Sequence, residues 1–370
     1  MRRIGRHGRK KTNKIIILSA FCLLFIITAG YAAFSTNITL HAKGNIKEKS
    51  RVIQSWDENS QTDFHSDFYR ENIVSATFVD NNNVPDNATE SWNVSEDKEN
   101  GEVMAWVVPN ISESSKYDLY IGTKAGVIAN EDSGYLFYKF RELKEINFNN
   151  NFDTSNAKDM SLMFYLCTSL VELDLSNFDT SNVTNMYAMF CMWDQELQVV
   201  PQNNLISIKF GDSFITNNVT NMRSMFGGLY ILKELDVSNF NTSNVTTMYH
   251  MFMGCGSLTE LDVSNFDTSK VTDMDSMFSN LSNITELDIS NFDTSNVTNM
   301  SYMFTGCSNL TKLNLCSFDT SRVSHMYSMF AETPKIEVIN VGPNWTTENA
   351  DTTLMFYGSK VSSVTTGQCF

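Results

Sequence analysis

The sequence predicts an α/β repeat solenoid with one strand and one short helix per coil, a β-rich N-terminal cap and an N-terminal apolar helix. The first observation is a repeated Met-Phe pair. Six of the seven intervals between pairs are 26 residues, and the seventh is 36. The pairs end at Phe164, Phe190, Phe226, Phe252, Phe278, Phe304, Phe330 and Phe356. A fixed period of this length is typical of stacked coils, and the longer interval indicates a loop inserted at 191–204.

The second observation is the pattern within one unit. In "LTELDVSNF" at 258–266, apolar Leu261 and Val263 alternate with polar residues, which predicts a short strand with one buried face. In "SKVTDMDSMF" at 269–278, the apolar residues fall at i, i+3, i+6 and i+7, which predicts a short helix after an N-cap-type Asp-Thr-Ser turn. We therefore expect the strands to form one parallel sheet. The equivalent phenylalanines of the turn should form one buried column: Phe178, Phe240, Phe266, Phe292 and Phe318.

The third observation is the N-terminus, where seven basic residues at 1–14 precede a mostly apolar segment at 15–34. This pattern suits either a membrane-spanning anchor or a cleaved signal peptide, and we favour the anchor. In either case the rest of the chain is expected outside the cell. Residues 35–52 then form a spacer, and 53–142 form a β-rich cap on the first coil. The solenoid of about eight units covers 143–358, and 359–370 form a tail.

The tryptophans of the N-terminal region leave a second interpretation open. Trp56, Trp92 and Trp106 would also suit an independent module that binds carbohydrate or protein. Cys167, Cys255 and Cys307 each follow a Met-Phe pair by three residues and are expected to be small buried side chains. No pairing is predicted for Cys191, Cys316 and Cys369.

Composition and motifs exclude several classes of function. The net charge is −15 although residues 1–14 are basic, so the body repels phosphate backbones and nucleic-acid binding is not expected. The five histidines are widely separated, and no zinc spacing, phosphate-binding glycine loop or nucleophile motif is present. We therefore expect no enzyme activity, no cofactor and no metal site. An enzyme with an unrecognised site in 50–142 is the least favoured alternative.

One candidate binding surface recurs on the outward side of the predicted strands. Glutamate and aspartate alternate there in three successive units, which stacks like charges in two rows. Such rows are either a solvated surface or a docking strip for cations or a basic partner, bounded by Lys209 and Lys312. The candidate residues are Glu234, Asp236, Glu260, Asp262, Glu286 and Asp288.

The consensus "LxxLDxSNFDTSxVTxMxxMF" resembles the repeats of BspA-like bacterial leucine-rich repeat surface proteins, in the mycoplasma-type 26-residue subtype. This resemblance covers about 143–356 and implies a leucine-rich-repeat-like solenoid on a bacterial surface, with adhesion suggested for some members. We expect a binding or adhesion scaffold whose ligand is an unknown protein or surface glycan. It would be held at the membrane by 15–34, or secreted if that segment is cleaved. The alternative is a structural spacer or coat component that displays the N-terminal module.

Overall fold

The computed structural model of the chain describes residues 49–367 and Cys369, which are built mainly of strands, single bridges and turns. The helical segments are a 3₁₀ helix, Asp63–His65, and one α-helical turn, α1, Asp67–Arg70. The strands are β1 Ile73–Val79, β2 Glu90–Asn93, β3 Met104–Pro109, β4 Tyr117–Gly122, β5 Val127–Ile128, β6 Glu145–Asn147, β7 Phe152–Asp153, β8 Glu172–Leu175, β9 Ser207–Phe210, β10 Lys312–Leu315, β11 Val338–Val341 and β12 Thr365–Thr366. Within the described part, no helix has the length and apolar character needed to cross a membrane. The predicted apolar helix at 15–34 lies outside that part.

A mixed five-stranded sheet joins the N-terminal region to the first repeat. Its strand order is β2-β3-β4-β1-β6, with β2, β3 and β4 antiparallel and β1 parallel to both β4 and β6. Because β6 belongs to the first repeat, β1 lies where a preceding coil would otherwise place its strand. The main hydrophobic core then continues from Ile53 to Met355, and a smaller separate cluster lies around Tyr165.

The repeats stack as coils through a column of parallel bridges. One residue per coil takes part, and each bridge joins it to its equivalent in the next coil. The column is Asp132, Asp159, Asn185, Asn221, Thr247, Asp273, Asn299, His325 and Asp351. Adjacent coils are therefore in register although their sequences lie 26 to 36 residues apart.

The predicted fold class, an α/β solenoid with a helix in every coil, is wrong. The segment around each Met-Phe pair forms consecutive turns. In the coil of Phe278, the Val271 amide donates to the Thr268 carbonyl at 2.9 Å and the Met277 amide to the Met274 carbonyl at 3.2 Å. When an amide bonds the carbonyl three residues earlier, apolar residues recur every three positions. Over one short segment this period resembles the 3.6-residue period of an α-helix.

Two features prevent a helix in this segment. The residue before each Met-Phe pair has a positive φ, 56° at Ser276, and left-handed backbone ends a right-handed helix. Every second amide of this segment also donates to a carbonyl of the next coil, so it does not form a hydrogen bond within the segment. The Met274 amide bonds the Asn299 carbonyl at 3.0 Å, and the Ser276 amide bonds the Ser301 carbonyl at 2.8 Å. These bonds between coils offset the strain of the left-handed residue.

The predicted single parallel sheet is also wrong. Within the described repeats, β8 pairs only with β9, and β10, β11 and β12 form a separate three-stranded sheet. The three coils between these sheets keep the strand-like burial pattern, because Leu261 and Val263 are buried while Asp262 between them is exposed. Their backbones lack the regular ladder of bonds that defines a strand.

The phenylalanines of the Met-Phe pairs form the continuous aromatic column of the core. Adjacent rings stack with centroids 5.5 to 6.0 Å apart. The column is Phe137, Phe164, Phe190, Phe226, Phe252, Phe278, Phe304, Phe330 and Phe356. The turn phenylalanines predicted to form a column are buried, as expected. Several of them, including Phe266 and Phe292, pack beside this column.

The cysteines follow the repeat. Cys167, Cys255 and Cys307 are buried, as predicted, and each thiol lies 3.0 to 3.2 Å from a phenylalanine carbonyl of the preceding coil. A disulfide joins Cys316 to Cys369, 53 residues apart. This bond fixes the C-terminal tail beside the last coils, where β12 pairs with β11.

Removing this disulfide is expected to release the tail. In the double variant Cys316→Ser/Cys369→Ser, we expect tryptic cleavage after Lys360 to become about tenfold faster, because the chain beyond it is then held only by the two-residue strand β12 and by the partly buried Val361 and Val364. Mass spectrometry of timed digests measures the rate. The variant Cys307→Ser, which alters a cysteine outside the disulfide, should leave the rate at Lys360 unchanged. Equal rates in all three proteins would contradict the role given to the bond.

Candidate functional site

The six predicted carboxylates lie together on one exposed surface, which we call the acidic face: Glu234, Asp236, Glu260, Asp262, Glu286 and Asp288. They line a groove of about 600 Å³ across three successive coils. Leu235 and Leu261 also line the groove, as do Thr259 and Thr285. The stacking of the coils brings equivalent carboxylates into rows, as the repeat spacing predicts.

Each aspartate of the acidic face is fixed by the turn that follows it. Oδ1 of Asp288 accepts bonds from the Ser290 hydroxyl at 2.7 Å and the Ser290 amide at 3.0 Å. Oδ1 of Asp236 and Oδ1 of Asp262 accept from the Ser238 and Ser264 amides, each at 2.9 Å. One carboxylate oxygen therefore stabilises the turn, and the second accepts no hydrogen bond from the residues that the structure describes.

These hydrogen bonds keep the aspartates charged in spite of their neighbours. Bonds from Ser238 lower the pKa of Asp236, and bonds from Ser290 lower the pKa of Asp288. The charge of Asp262 opposes both shifts, because it lies in the same row. The hydrogen bonds are the larger effect, so the row stays ionised at neutral pH.

The glutamates differ in their partners. Glu286 forms an ion pair with Lys312 at 3.0 Å, and both side chains are exposed. Glu234 and Glu260 have no cationic partner within the described residues. Lys209 pairs with Asp174 of the preceding coil at 3.1 Å. Lys312 therefore neutralises one end of the acidic face, while Lys209 interacts with a carboxylate outside it.

The tryptophans of the N-terminal region are mostly inside the protein. Trp56 is buried, stacks on His65 with centroids 4.1 Å apart, and its Nε1 lies 3.3 Å from the Asp63 carboxylate. Trp106 is also buried, and Trp92 is half-buried against the core. Their rings consequently offer little surface to a ligand. Throughout the described part, the acidic face included, no group of three or more His, Cys, Asp or Glu side chains could hold a metal ion.

Sequence reasoning missed the structural role of the aspartates, although a signal for it is present. Asp-x-Ser occurs at 236–238, 262–264 and 288–290, and an aspartate two residues before an amide that it can accept from is typical of an Asx turn. The earlier interpretation assigned these carboxylates to the surface alone. Their removal therefore changes both the charge of the acidic face and the turns below it.

The repeats match one protein family. Residues 132–200, 201–286 and 255–367 match the family described as "Mycoplasma protein of unknown function, DUF285". The matches together extend over 132–367, from the first bridge of the column to the C-terminal tail. No curated protein matches the chain.

Proposed function

Since the chain belongs to the DUF285 family of mycoplasma-type repeat proteins, we propose that it is an exported bacterial surface protein whose stacked repeats bind a partner through the acidic face. The proposal makes it a relative of the BspA-like surface proteins, held at the membrane by residues 15–34. It acts by binding and adhesion and not by catalysis.

The open carboxylates of the acidic face carry this proposal. Glu234 and Glu260 are exposed and lack a cationic partner within the described chain, and each aspartate keeps one oxygen available. Like charges held in a row repel one another, and a cationic partner removes that repulsion. The coils hold the rows of carboxylates in fixed positions. A basic protein segment would therefore bind the acidic face at a smaller ordering cost than it would bind a flexible acidic tail.

The test uses neutral variants that leave the aspartate turns intact. In the full-length chain purified in a mild detergent, Glu234→Gln/Glu260→Gln/Glu286→Gln should weaken binding of a fluorescent decalysine peptide about tenfold, since each exposed charge pair contributes roughly 0.2–1 kcal/mol. Rising salt should weaken binding to the unmodified protein in the same way. Fluorescence polarisation at two salt concentrations measures both effects.

The matched control changes the same net charge elsewhere. The variant Glu99→Gln/Glu332→Gln/Glu348→Gln alters three exposed glutamates outside the acidic face and should retain the affinity of the unmodified protein. Equal weakening in both triple variants would mean that only the overall charge matters. The acidic face would then be a solvated surface, and the spacer function would be favoured.

A further inference from the structure

The amides of the Met-Phe segment connect each coil to the next one. In the coil before the last, four alternate amides donate to the last coil: Met326 to the Asp351 carbonyl at 2.9 Å, Ser328 to Thr353 at 3.0 Å, Phe330 to Met355 at 2.9 Å and Glu332 to Tyr357 at 2.7 Å. These four amides point forward, and carbonyls of the last coil receive them. Just before them, the Ser324 carbonyl also points forward and accepts from the Asp351 amide at 2.9 Å. The stack therefore has a direction.

In the last coil the equivalent amides are open. These amides belong to Thr352, Leu354, Phe356 and Gly358, each 26 positions after a donor of the preceding coil. None of the four has an acceptor in the described part of the chain. The carbonyls of the first three already accept turn bonds from Met355, Tyr357 and Ser359. This edge of the last coil consequently presents backbone donors to a partner and almost no acceptors.

An apolar surface lies beside the open amides. Phe356 stacks on Phe330 with centroids 5.6 Å apart, and among the described residues no further ring of the column follows it. Leu354 is 48% exposed and Tyr357 is 63% exposed. Together with Trp345 and Val364, these side chains line a pocket of about 640 Å³. The strand side of the same coil is already paired, because β12 adds to β11.

The direction of the hydrogen bonds excludes two simple occupants. A second copy related by a two-fold axis would bring donors against donors. A copy added head to tail would need the carbonyl edge of the first coil. At that edge the Leu136 carbonyl is already engaged by the N-terminal region, since His65 Nε2 lies 2.9 Å from it and must donate to it. In the other coils, the carbonyl at the position of Leu136 accepts a hydrogen bond from the preceding coil.

We propose that this C-terminal edge, defined by Thr352, Leu354, Phe356 and Gly358, binds an extended segment of another polypeptide that carries the Met-x-x-Met-Phe pattern. The inner coils up to the coil of Phe304 each show such a segment on the equivalent surface, where it supplies alternate carbonyls and inserts its apolar side chains. The coil of Phe330 holds a segment with Thr352 in place of the first Met. Addition of a segment to an open edge takes its affinity from main-chain bonds and its specificity from side-chain pockets. The site is independent of the acidic face.

A peptide copied from the protein itself tests the proposal. Residues 296–306, "NVTNMSYMFTG", contain the pattern at Met300, Met303 and Phe304. The labelled peptide should bind the full-length chain in detergent, and replacing its Met303 and Phe304 by aspartate should weaken binding at least about tenfold. Hydrogen exchange should show new protection at the amides of Leu354 and Phe356.

Two variants at one repeat position locate the site. Leu354→Asp should weaken peptide binding at least about tenfold. Tyr302→Asp should leave it unchanged, because Tyr302 is the equivalent residue two coils earlier and its amide already donates to the Tyr327 carbonyl at 2.8 Å. The proposal is overturned if no saturable binding occurs by about 1 mM peptide. Equal binding of the aspartate peptide, or protection away from the last coil, would also overturn it.

Discussion

Replacing Phe278 by alanine is expected to lower the free energy of unfolding by about 3–5 kcal/mol. The ring is fully buried and stacks on Phe252 and Phe304 with centroids 6.0 and 5.9 Å away. Alanine removes the buried surface, leaves a cavity in the column and deletes three ring contacts at once, the third being with Phe292 beside the column. Because each coil contacts only its neighbours, the loss weakens the interfaces on both sides of this coil.

Chemical denaturation of the full-length protein in detergent, followed by circular dichroism, measures this loss. Tyr302→Ala is the matched control, since Tyr302 is an aromatic residue of the next coil with 39% of its surface exposed, and it should cost under about 1 kcal/mol. The Phe278→Ala protein should also show a broader or two-step transition as the stack separates at the weakened coil. A cost equal to that of Tyr302→Ala would mean that the aromatic column does not hold the coils together.

The repeat register and the buried residues could be predicted from the sequence because both depend on local periodicity. The apolar positions of each unit, such as Val271, Met274 and Met277, are buried as expected. Whether these positions form a helix could not be determined in the same way. A period of three and a period of 3.6 differ by about half a residue per turn, and one coil is too short to separate them.

The left-handed residue that ends any helix is also hidden in the sequence. It is Leu162, Ser276 and Tyr302 in three of the coils, and none of these is a residue type that favours positive φ. Its conformation is held by bonds to the following coil, as in the 2.8 Å bond from the Ser276 amide to the Ser301 carbonyl. Interactions between residues 25 positions apart determine the local structure here, so local propensity predicts it wrongly.

The candidate site was predictable to a similar extent. Alternation placed Glu260 and Asp262 outward, and the period aligned them with their equivalents in adjacent coils. The groove and the pairing of Glu286 with Lys312 depend on how the coils stack. The open edge of the last coil depends on which amides point forward, and the sequence carries no pattern for that direction.

The threonine of the Phe-Asp-Thr-Ser turn offers the second large effect. The sequence suggested a helix N-cap, whereas Thr268 is buried and its hydroxyl connects two coils. It donates to the Asp293 carbonyl at 2.9 Å and accepts from the Asp293 amide at 2.9 Å. Thr242 and Thr294 make the same pair of bonds to Asp267 and Asp319. One side chain thus replaces a strand pairing between neighbouring coils.

Thr268→Val is therefore expected to lower the free energy of unfolding by about 2–4 kcal/mol. Valine keeps the shape of threonine, but it leaves the amide and the carbonyl of Asp293 without their partner, and each such loss costs about 1–3 kcal/mol. Thr272→Val is the matched control from the same coil. Thr272 is exposed and donates its hydroxyl to the Thr246 carbonyl at 3.2 Å, which keeps its bond from the Thr272 amide at 2.9 Å.

Denaturation curves of the two valine variants show whether the Thr268 hydroxyl stabilises the fold or can be replaced by water. Thr272→Val should lie within about 0.5 kcal/mol of the unmodified protein, since no backbone group loses its last partner. Hydrogen exchange should show faster exchange at the Asp293 amide only in the Thr268 variant. If both variants are equally stable, water satisfies Asp293 as well as the hydroxyl does. The coils would then be held mainly by the aromatic column and by the amides of the Met-Phe segment.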